Sequence, residues 1–312
     1  MFYLLIALAI GIGVPIQTAI NSRLRSYVLS PFVASFVSFL VGTIFLLFVT
    51  LFTKHTVLIP RDVFTDSPWW LWIGGLLGVI SLTGNILLFP KLGGVQTVIL
   101  PILGQIFASM AIDHFGLFGS PEIPFSVIRA VGVVLLIGGI LAVIVLPDYF
   151  RKRHGHAPDA TSAGKLPYQL FGILAGMMMA TQSAINGQLG QALDSPIHAA
   201  FISFVVGTIL LLIGITFILR NVQNIRLGFG QGKPKWIFLG GILGAFFVLT
   251  MAALVPILGT GLVVVACLFG QLFCSIAIDQ FGWFSTPKVP VTLIQIVGFL
   301  LMITGVILIK LV

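Results

Sequence analysis

The chain contains the same pattern twice, and this internal repeat limits the folds that it can adopt. Residues 104–116 and 270–282 agree at nine of thirteen positions. Both stretches place a glutamine early in an apolar segment and an aspartate near its end. Further matches at offsets of 165 and 166 run through both halves. A repeat of this length is interpreted before any other pattern, because the two copies are expected to fold alike.

Long apolar runs fill both copies. Apolar residues make up 58% of the 312 residues and charged residues only 8%, whereas soluble domains carry about 25% charged residues. Ten segments approach the ~20 apolar residues that a helix needs to cross a bilayer. We therefore predict ten helices, at residues 2–21, 32–53, 69–89, 94–112, 125–147, 168–189, 197–219, 235–254, 259–278 and 290–311.

Each copy holds five of these segments. The first copy covers residues 1–147 and the second covers residues 168–312, with the polar stretch 148–167 as a linker. Because five is odd, the second copy must cross the membrane in the opposite sense. The predicted fold class is an all-α membrane protein of ten transmembrane helices, arranged as two inverted five-helix repeats.

The basic residues predict an orientation. The net charge of +8 comes from lysines and arginines in short loops, which we interpret as topology signals and not as a nucleic-acid surface. Twelve of the sixteen lie on the face reached after odd-numbered helices. This bias predicts that face to be cytoplasmic and both termini to lie outside.

Seven uncharged amides inside the apolar segments are the predicted substrate-binding residues. Polar groups are costly against lipid, so they are expected to face a cavity or another helix. Six of them form three repeat-related pairs, whereas Asn85 corresponds to Met251 in the second copy. Hydrogen bonding between helices is the alternative role for each of them. The seven residues are Gln17, Asn21, Asn85, Gln105, Gln182, Asn186 and Gln271.

Two aspartates are the predicted gating or coupling residues. Asp113 and Asp279 end the fourth and ninth predicted helices, which run in opposite directions and so finish at opposite faces. In alternating access only one mouth is open, and a carboxylate that loses water at the closed mouth favours its protonated form. The alternative is that each aspartate only anchors a helix end.

Glycines and prolines mark packing positions and helix ends. Small residues spaced four apart let membrane helices approach closely, which predicts packing roles for two glycine sets. Pro90 and Pro256 are expected to end helices. The glycines are Gly74, Gly75 and Gly78, with Gly240, Gly241 and Gly244 in the second copy.

Several motifs occur together in each half. In the first half they are Pro15-x-Gln17-x-x-x-Asn21, Ser30-Pro31-x-x-Ala34, Gly74-Gly75-x-x-Gly78, Pro90-x-x-Gly93 and the Gly-Gln…Asp-x-Phe-Gly run. With these motifs each half resembles the YdcZ-type branch of the drug/metabolite transporter superfamily (EamA-like), in its fused ten-helix form. The resemblance implies a small-molecule exporter of the bacterial inner membrane. Ten-helix relatives in the wider superfamily usually have cytoplasmic termini, opposite to the charge count.

The predicted function is secondary transport. We expect export of small organic metabolites or drugs across the inner membrane by alternating access, with the proton as a candidate coupling ion. A passive channel is the main alternative. An intramembrane enzyme is disfavoured because the chain lacks an HExxH motif and a nucleophile elbow, and primary transport because it lacks an ATP-binding motif. No cofactor or metal is expected, the partners are the substrate and the bilayer, and a monomer suffices because both repeats are fused.

Overall fold

The computed structural model describes residues 2–59, 61–120, 122–153, 164–230, 232–286, 288 and 291–310. Every regular element within these ranges is helical. The α-helices in these ranges are α1 (Phe2–Val28), α2 (Pro31–Lys54), α3 (Arg61–Asp66), α4 (Gly74–Phe115), α5 (Val127–Arg153), α6 (Leu166–Ala192), α7 (Pro196–Ile213), α8 (Leu239–Leu258), α9 (Thr260–Phe281) and α10 (Leu293–Lys310).

These helices overlap all ten predicted segments, and the all-helical membrane character is confirmed. Within the described ranges, seven stretches could cross a membrane by length and composition, namely Phe2–Val28, Pro31–Lys54, Trp69–Gly93, Gln96–Phe115, Pro196–Ile218, Lys235–Leu258 and Thr260–Phe281. Two other apolar stretches, Val127–Val143 and Leu293–Ile309, are shorter. Helix α6 is 27 residues long but carries many polar residues. Ten crossings as inverted repeats therefore stay a prediction.

The junction between the halves is shorter than the predicted linker. Helix α5 continues to Arg153 and α6 begins at Leu166. Both ends thus extend into the stretch 148–167. Residues 154–163 of the predicted linker lie outside the described residues.

A glycine with positive φ divides α4 and separates α8 from α9. Gly93 has φ 81° and ψ 173°, and Gly259 has φ 79° and ψ 152°. Glycine adopts this conformation without a steric penalty. We call residues 74–92 the first arm of α4 and residues 94–115 its second arm. The expectation that Pro90 and Pro256 end helices was wrong by a few residues, since each helix continues to the glycine.

The starts of α2 and α7 are built in the same way. Ser30 and Ser195 are the N-caps, and a proline occupies the first helical turn after each. The Ser30 Oγ accepts a hydrogen bond from the Val33 amide, and the Ser195 Oγ accepts one from the His198 amide, each at 3.4 Å. A serine cap satisfies an amide that the helix leaves unpaired, and proline removes another.

Glycines bring helix backbones from the two halves into direct contact. A Cβ atom added at Gly104 would lie well under 3.0 Å from the Ile173 carbonyl, so the second arm of α4 crosses α6 at van der Waals distance. A Cβ added at Gly270 would meet the Leu8 carbonyl in the same way, where α9 crosses α1. Each half thus packs a helix against the other half by the same contact.

The predicted glycine packing is also present at α2 and α7. A Cβ at Gly75 would collide with the Ser203 carbonyl on α7, and a Cβ at Gly241 would collide with the Ser38 carbonyl on α2. The neighbouring glycines in both sets accommodate amide side chains, which places the predicted site residues at the contact between the halves.

Candidate functional site

A small cavity lies between the two halves. Helices α1, α2, α6, α7 and α8 and the first arm of α4 surround it. It offers about 50 Å³ to the centres of water-sized molecules, which is room for a few waters. None of the described lining residues is charged. The lining consists of Val14, Gln17, Thr18, Phe39, Gly78, Ser81, Leu82, Asn85, Met179, Gln182, Phe204, Gly244, Phe247 and Val248.

Gln17 and Gln182, one from each half, line this cavity. Each amide packs on a glycine of the opposite half, Gln17 on Gly244 and Gln182 on Gly78. The Gln182 Nε2 donates to the Ser203 Oγ at 3.4 Å. Gln17 makes no side-chain hydrogen bond within the described part of the chain. The two glutamines therefore face the cavity as an equivalent pair with spare hydrogen-bonding capacity.

Asn85 also lines the cavity, from the first arm of α4. Its side chain is 7% exposed, and its Oδ1 has no hydrogen-bond partner among the described residues. A buried polar atom without a partner is uncommon and costs free energy. Asn85 is therefore the polar group of this cavity that most needs a ligand or water.

Asn21 and Asn186 lie between helices and are not among the residues that line the cavity. The Asn21 Nδ2 donates to the Ser38 Oγ at 3.1 Å, and the Asn186 Nδ2 donates to the Ser203 Oγ at 3.2 Å. Both amides are almost fully buried. Each packs its Oδ1 against a glycine in the first turn of a helix of the other half. This glycine is Gly240 of α8 for Asn21 and Gly74 of α4 for Asn186.

Gln105 and Gln271 also lie outside the lining of this cavity. Each side chain is 2% exposed. Each follows the glycine at which its helix crosses the opposite half. The Nε2 of both glutamines has no hydrogen-bond partner in the described ranges. These two amides occupy the tightest helix crossings, where a small shift of either backbone would change their surroundings.

Asp113 and Asp279 are buried near the ends of α4 and α9, at 0% and 4% exposure. Each helix then closes with a left-handed glycine, Gly116 or Gly282, whose amide donates back to a carbonyl of the last turn. This is a common helix ending that satisfies terminal carbonyl groups. Both aspartates therefore sit at well-ordered corners and not in the central cavity.

A buried arginine next to one of these corners escaped the sequence interpretation. The Ile123 amide donates to the Asp113 carbonyl at 2.7 Å, and the Arg129 guanidinium donates to the Ile123 carbonyl at 3.0 Å. Arg129 is 2% exposed, and arginine is rarely buried to that extent. Its counterpart in the second half is Gln295. This difference between the two halves was the feature of the sequence that could have drawn attention to Arg129.

Other cavity residues were missed because they carry no unusual chemistry. Ser81 precedes Asn85 by four residues, so both lie on one face of the helix. Phe39 and Phe204 are repeat-related and their rings lie 4.9 Å apart. Within the residues searched, no group of three His, Cys, Asp or Glu side chains could hold a metal ion.

Comparisons with known proteins agree with this architecture. The family model described as "Putative inner membrane exporter, YdcZ" matches residues 2–142 and 167–308. A solved structure described only as "Crystal structure of protein" aligns over 98% of this chain and 96% of its own, with a TM-score of 0.57 and 13% identity, which indicates a shared fold alone. No curated protein sequence matches significantly. Because the family model covers most of both halves, the chain belongs to the YdcZ family of the drug/metabolite transporter superfamily.

Proposed function

We propose that this multi-pass inner-membrane protein exports small organic molecules by alternating access of two inverted five-helix repeats. The observation that carries the proposal is the central uncharged cavity, which receives equivalent glutamines from both halves. A binding site at the contact between two repeats is the arrangement that secondary transporters use.

Reciprocal contacts support the inverted repeats. Asn21 packs on Gly240 while Asn186 packs on Gly74. An interface in which residue i meets j and j meets i is the signature of a two-fold relation. Since each half carries five apolar segments, a two-fold axis that relates them must lie in the membrane plane.

The same contacts suggest how access alternates. The halves meet through glycine crossings, of α4 with α6 and of α9 with α1. Rocking one half against the other would loosen the crossings at one face and tighten those at the opposite face. Gln17 and Gln182 would stay with the substrate at the middle, while the Gln105 and Gln271 crossings would open in turn. Gln17, Asn85 and Gln182 would bind the substrate in this scheme, and the other four amides would lie along the contacts that move.

The mouth near the end of α9 combines groups from both halves. Ile278, which precedes Asp279, packs with Ala19 on α1, two residues before Asn21. One carboxylate and one carboxamide therefore lie near this mouth. We expect Asp279 to be dehydrated when the mouth is closed and hydrated when it is open.

The mouth near the end of α4 follows the same plan. A Cβ added at Gly119, just beyond Asp113, would contact the Gln188 amide on α6, two residues after Asn186. Ile123 connects Arg129 to Asp113, because its amide donates to the Asp113 carbonyl and its carbonyl accepts from the Arg129 guanidinium. Because the two mouths alternate, one aspartate would exchange a proton with each side, which would couple export to the proton gradient.

Transport by purified protein in proteoliposomes tests the proposal. A mixture of small neutral amides, alcohols and aromatic compounds is loaded inside, and efflux of each is followed by mass spectrometry with and without a pH gradient. We expect saturable efflux of a subset that responds to the gradient. Asp113→Asn and Asp279→Asn should each lower this efflux and flatten its pH dependence while the protein stays folded. Efflux that never saturates and ignores the gradient would instead indicate a passive channel.

The orientation is part of the proposal. The lysine and arginine bias favours both termini outside. Alkaline phosphatase fused to the C-terminus should then be active, since it folds only outside the cytoplasm. An inactive phosphatase fusion together with a fluorescent cytoplasmic reporter fusion would reverse this orientation.

A further inference from the structure

The cavity has a polar wall and an apolar wall, although repeat-related residues build it. On the first arm of α4, Ser81 and Asn85 face the cavity. On α8 the residue equivalent to Ser81 is Phe247, which lines the cavity from the second half. The residue equivalent to Asn85 is Met251, which is buried with its Sδ 3.7 Å from the Cys267 Sγ. A molecule in this cavity therefore meets two unlike surfaces.

Ser81 and Asn85 differ in how far their hydrogen-bonding groups are satisfied. The Ser81 Oγ lies 2.9 Å from both the Leu77 and Ala175 carbonyls, so its proton is already donated. The Asn85 side chain makes no hydrogen bond within the described part of the chain, and its Oδ1 is buried without a partner. An amide that is nine-tenths buried normally has both its donor and its acceptor satisfied. Asn85 therefore offers an unused donor and an unused acceptor side by side.

We propose that Asn85 recognises an amide-like group on a small neutral molecule, an assignment that rests on the proposed transport function. A ligand carbonyl would accept from the Asn85 Nδ2, and a ligand N–H would donate to the Asn85 Oδ1. The apolar part of the molecule would lie against Phe247 and Val248. A net charge is disfavoured because none of the described residues that line the cavity is charged, so nothing there offsets the loss of hydration.

The size of the cavity narrows the class further. Its volume is suited to a short-chain amide, lactam or urea-like compound and not to a drug-sized molecule. Gln17, whose amide is also without a side-chain hydrogen bond in the described ranges, lies on the same cavity and would bind the remaining polar atoms.

A matched pair of probes tests the assignment. Propionamide and butanone have nearly the same shape and the same carbonyl, but butanone has a methyl group in place of the amide nitrogen. Their binding to purified protein in lipid nanodiscs is measured by ligand-detected NMR titration. We expect the wild type to prefer propionamide by about fivefold, the ratio that corresponds to one hydrogen bond of ordinary net strength.

Substitution of Asn85 separates this preference from partitioning into lipid. Asn85→Leu keeps the branching of the side chain without its polar atoms and should bring the ratio of the two dissociation constants to about one, because lipid and shape effects cancel between variants of a cycle. Asn85→Met, which copies the residue of the second half, should do the same if the leucine variant folds poorly. Thr83→Val on the same helix is the control, since Thr83 bonds to the Ser35 Oγ and does not line the cavity. It should keep the wild-type ratio.

The outcomes distinguish this inference from the proposed function. A wild-type protein that binds neither probe, or a preference that survives in Asn85→Leu and Asn85→Met, would overturn the assignment to Asn85. Transport in proteoliposomes could still be present in that case. Conversely, an Asn85-dependent preference in a protein that moves no compound would support the binding assignment and contradict the proposed transport.

Discussion

Two polar regions of this molecule both belong to the repeat, but only one of them keeps its polar residues in the second half. The Asn21–Ser38 and Asn186–Ser203 hydrogen bonds are the same in both halves, each with a glycine beneath the amide. The cavity wall that carries Asn85 in the first half has become apolar in the second. In the first region each hydrogen bond joins two helices of one half while the amide packs on a glycine of the other half, and the second region faces whatever occupies the cavity.

The difference has a physical explanation. In a two-fold interface each contact is made twice, so a residue that changes in one copy leaves an unmatched contact in the other half. The cavity is a single space shared by both copies, and a small organic molecule has no two-fold symmetry. A polar group contributed by one half is then enough, and the opposite wall can supply apolar contact. The predictions below test whether the two regions differ in this way.

The largest effect is expected at the glycine crossings. Gly104→Ala and Gly270→Ala each place a methyl group against a carbonyl of the opposite half, where backbone and not a flexible side chain must shift. Overpacking of this kind costs about 3 kcal/mol or more. Both variants should lose thermal stability to a similar extent in detergent, as measured by fluorescence-detected size exclusion after heating.

Gly138→Ala is the matched control for these variants. Gly138 also lies in an apolar helix, but nothing stands within 4 Å of its added Cβ. Replacing glycine by alanine there should be neutral or stabilising by up to about 1 kcal/mol. A Gly270 variant as stable as the Gly138 variant would mean that the crossings are not equivalent.

The next largest effect should appear at the two asparagine anchors. Asn21→Leu and Asn186→Leu each remove a hydrogen bond to a serine, although Ser203 keeps the longer bond from Gln182. Hydrogen bonds between membrane helices are modest, so each variant should lose about 1 kcal/mol of unfolding free energy. The measurement is reversible unfolding in mixed micelles. Markedly different losses in the two halves would break the comparison from which this prediction starts.

Asn85→Leu should have the opposite sign. Its amide is buried without a hydrogen bond in the described part of the chain, so an apolar residue with the same branching relieves that cost. We expect a gain of up to about 1 kcal/mol in the absence of ligand, as is common where a binding site sacrifices stability. Thr83→Val, which breaks a bond to Ser35, should lose stability under the same conditions. A loss at Asn85 equal to that at Thr83 would identify it as another anchor.

The sequence predicted the helices better than it predicted the site. Apolar runs of membrane length located every long helix but not the short α3, and the repeat paired residues across the halves, because both signals depend only on the order of residues. The amides were also recognised as buried. Which of them share a cavity depends on the angle at which helices cross, and Asn21 lies only one turn from Gln17 yet packs on Ser38. Arg129 was counted only among the basic residues that predict orientation, because its burial depends on Ile123, which belongs to a non-helical segment.

The smallest effect is expected where the halves use different residues for the same bond. The His114 Nδ1 accepts from the Phe125 amide at 3.2 Å, and the Gln280 Oε1 accepts from the equivalent Val291 amide at 2.9 Å. His114→Gln and Gln280→His should therefore each change the unfolding free energy by less than about 0.5 kcal/mol, because one acceptor replaces another. His114→Leu removes the acceptor and should lower the unfolding free energy by roughly 0.5–1 kcal/mol. A wild type and a His114→Leu variant that melt together at neutral pH would show that the bond contributes nothing to this corner, and the two halves would then differ there in function as well as in composition.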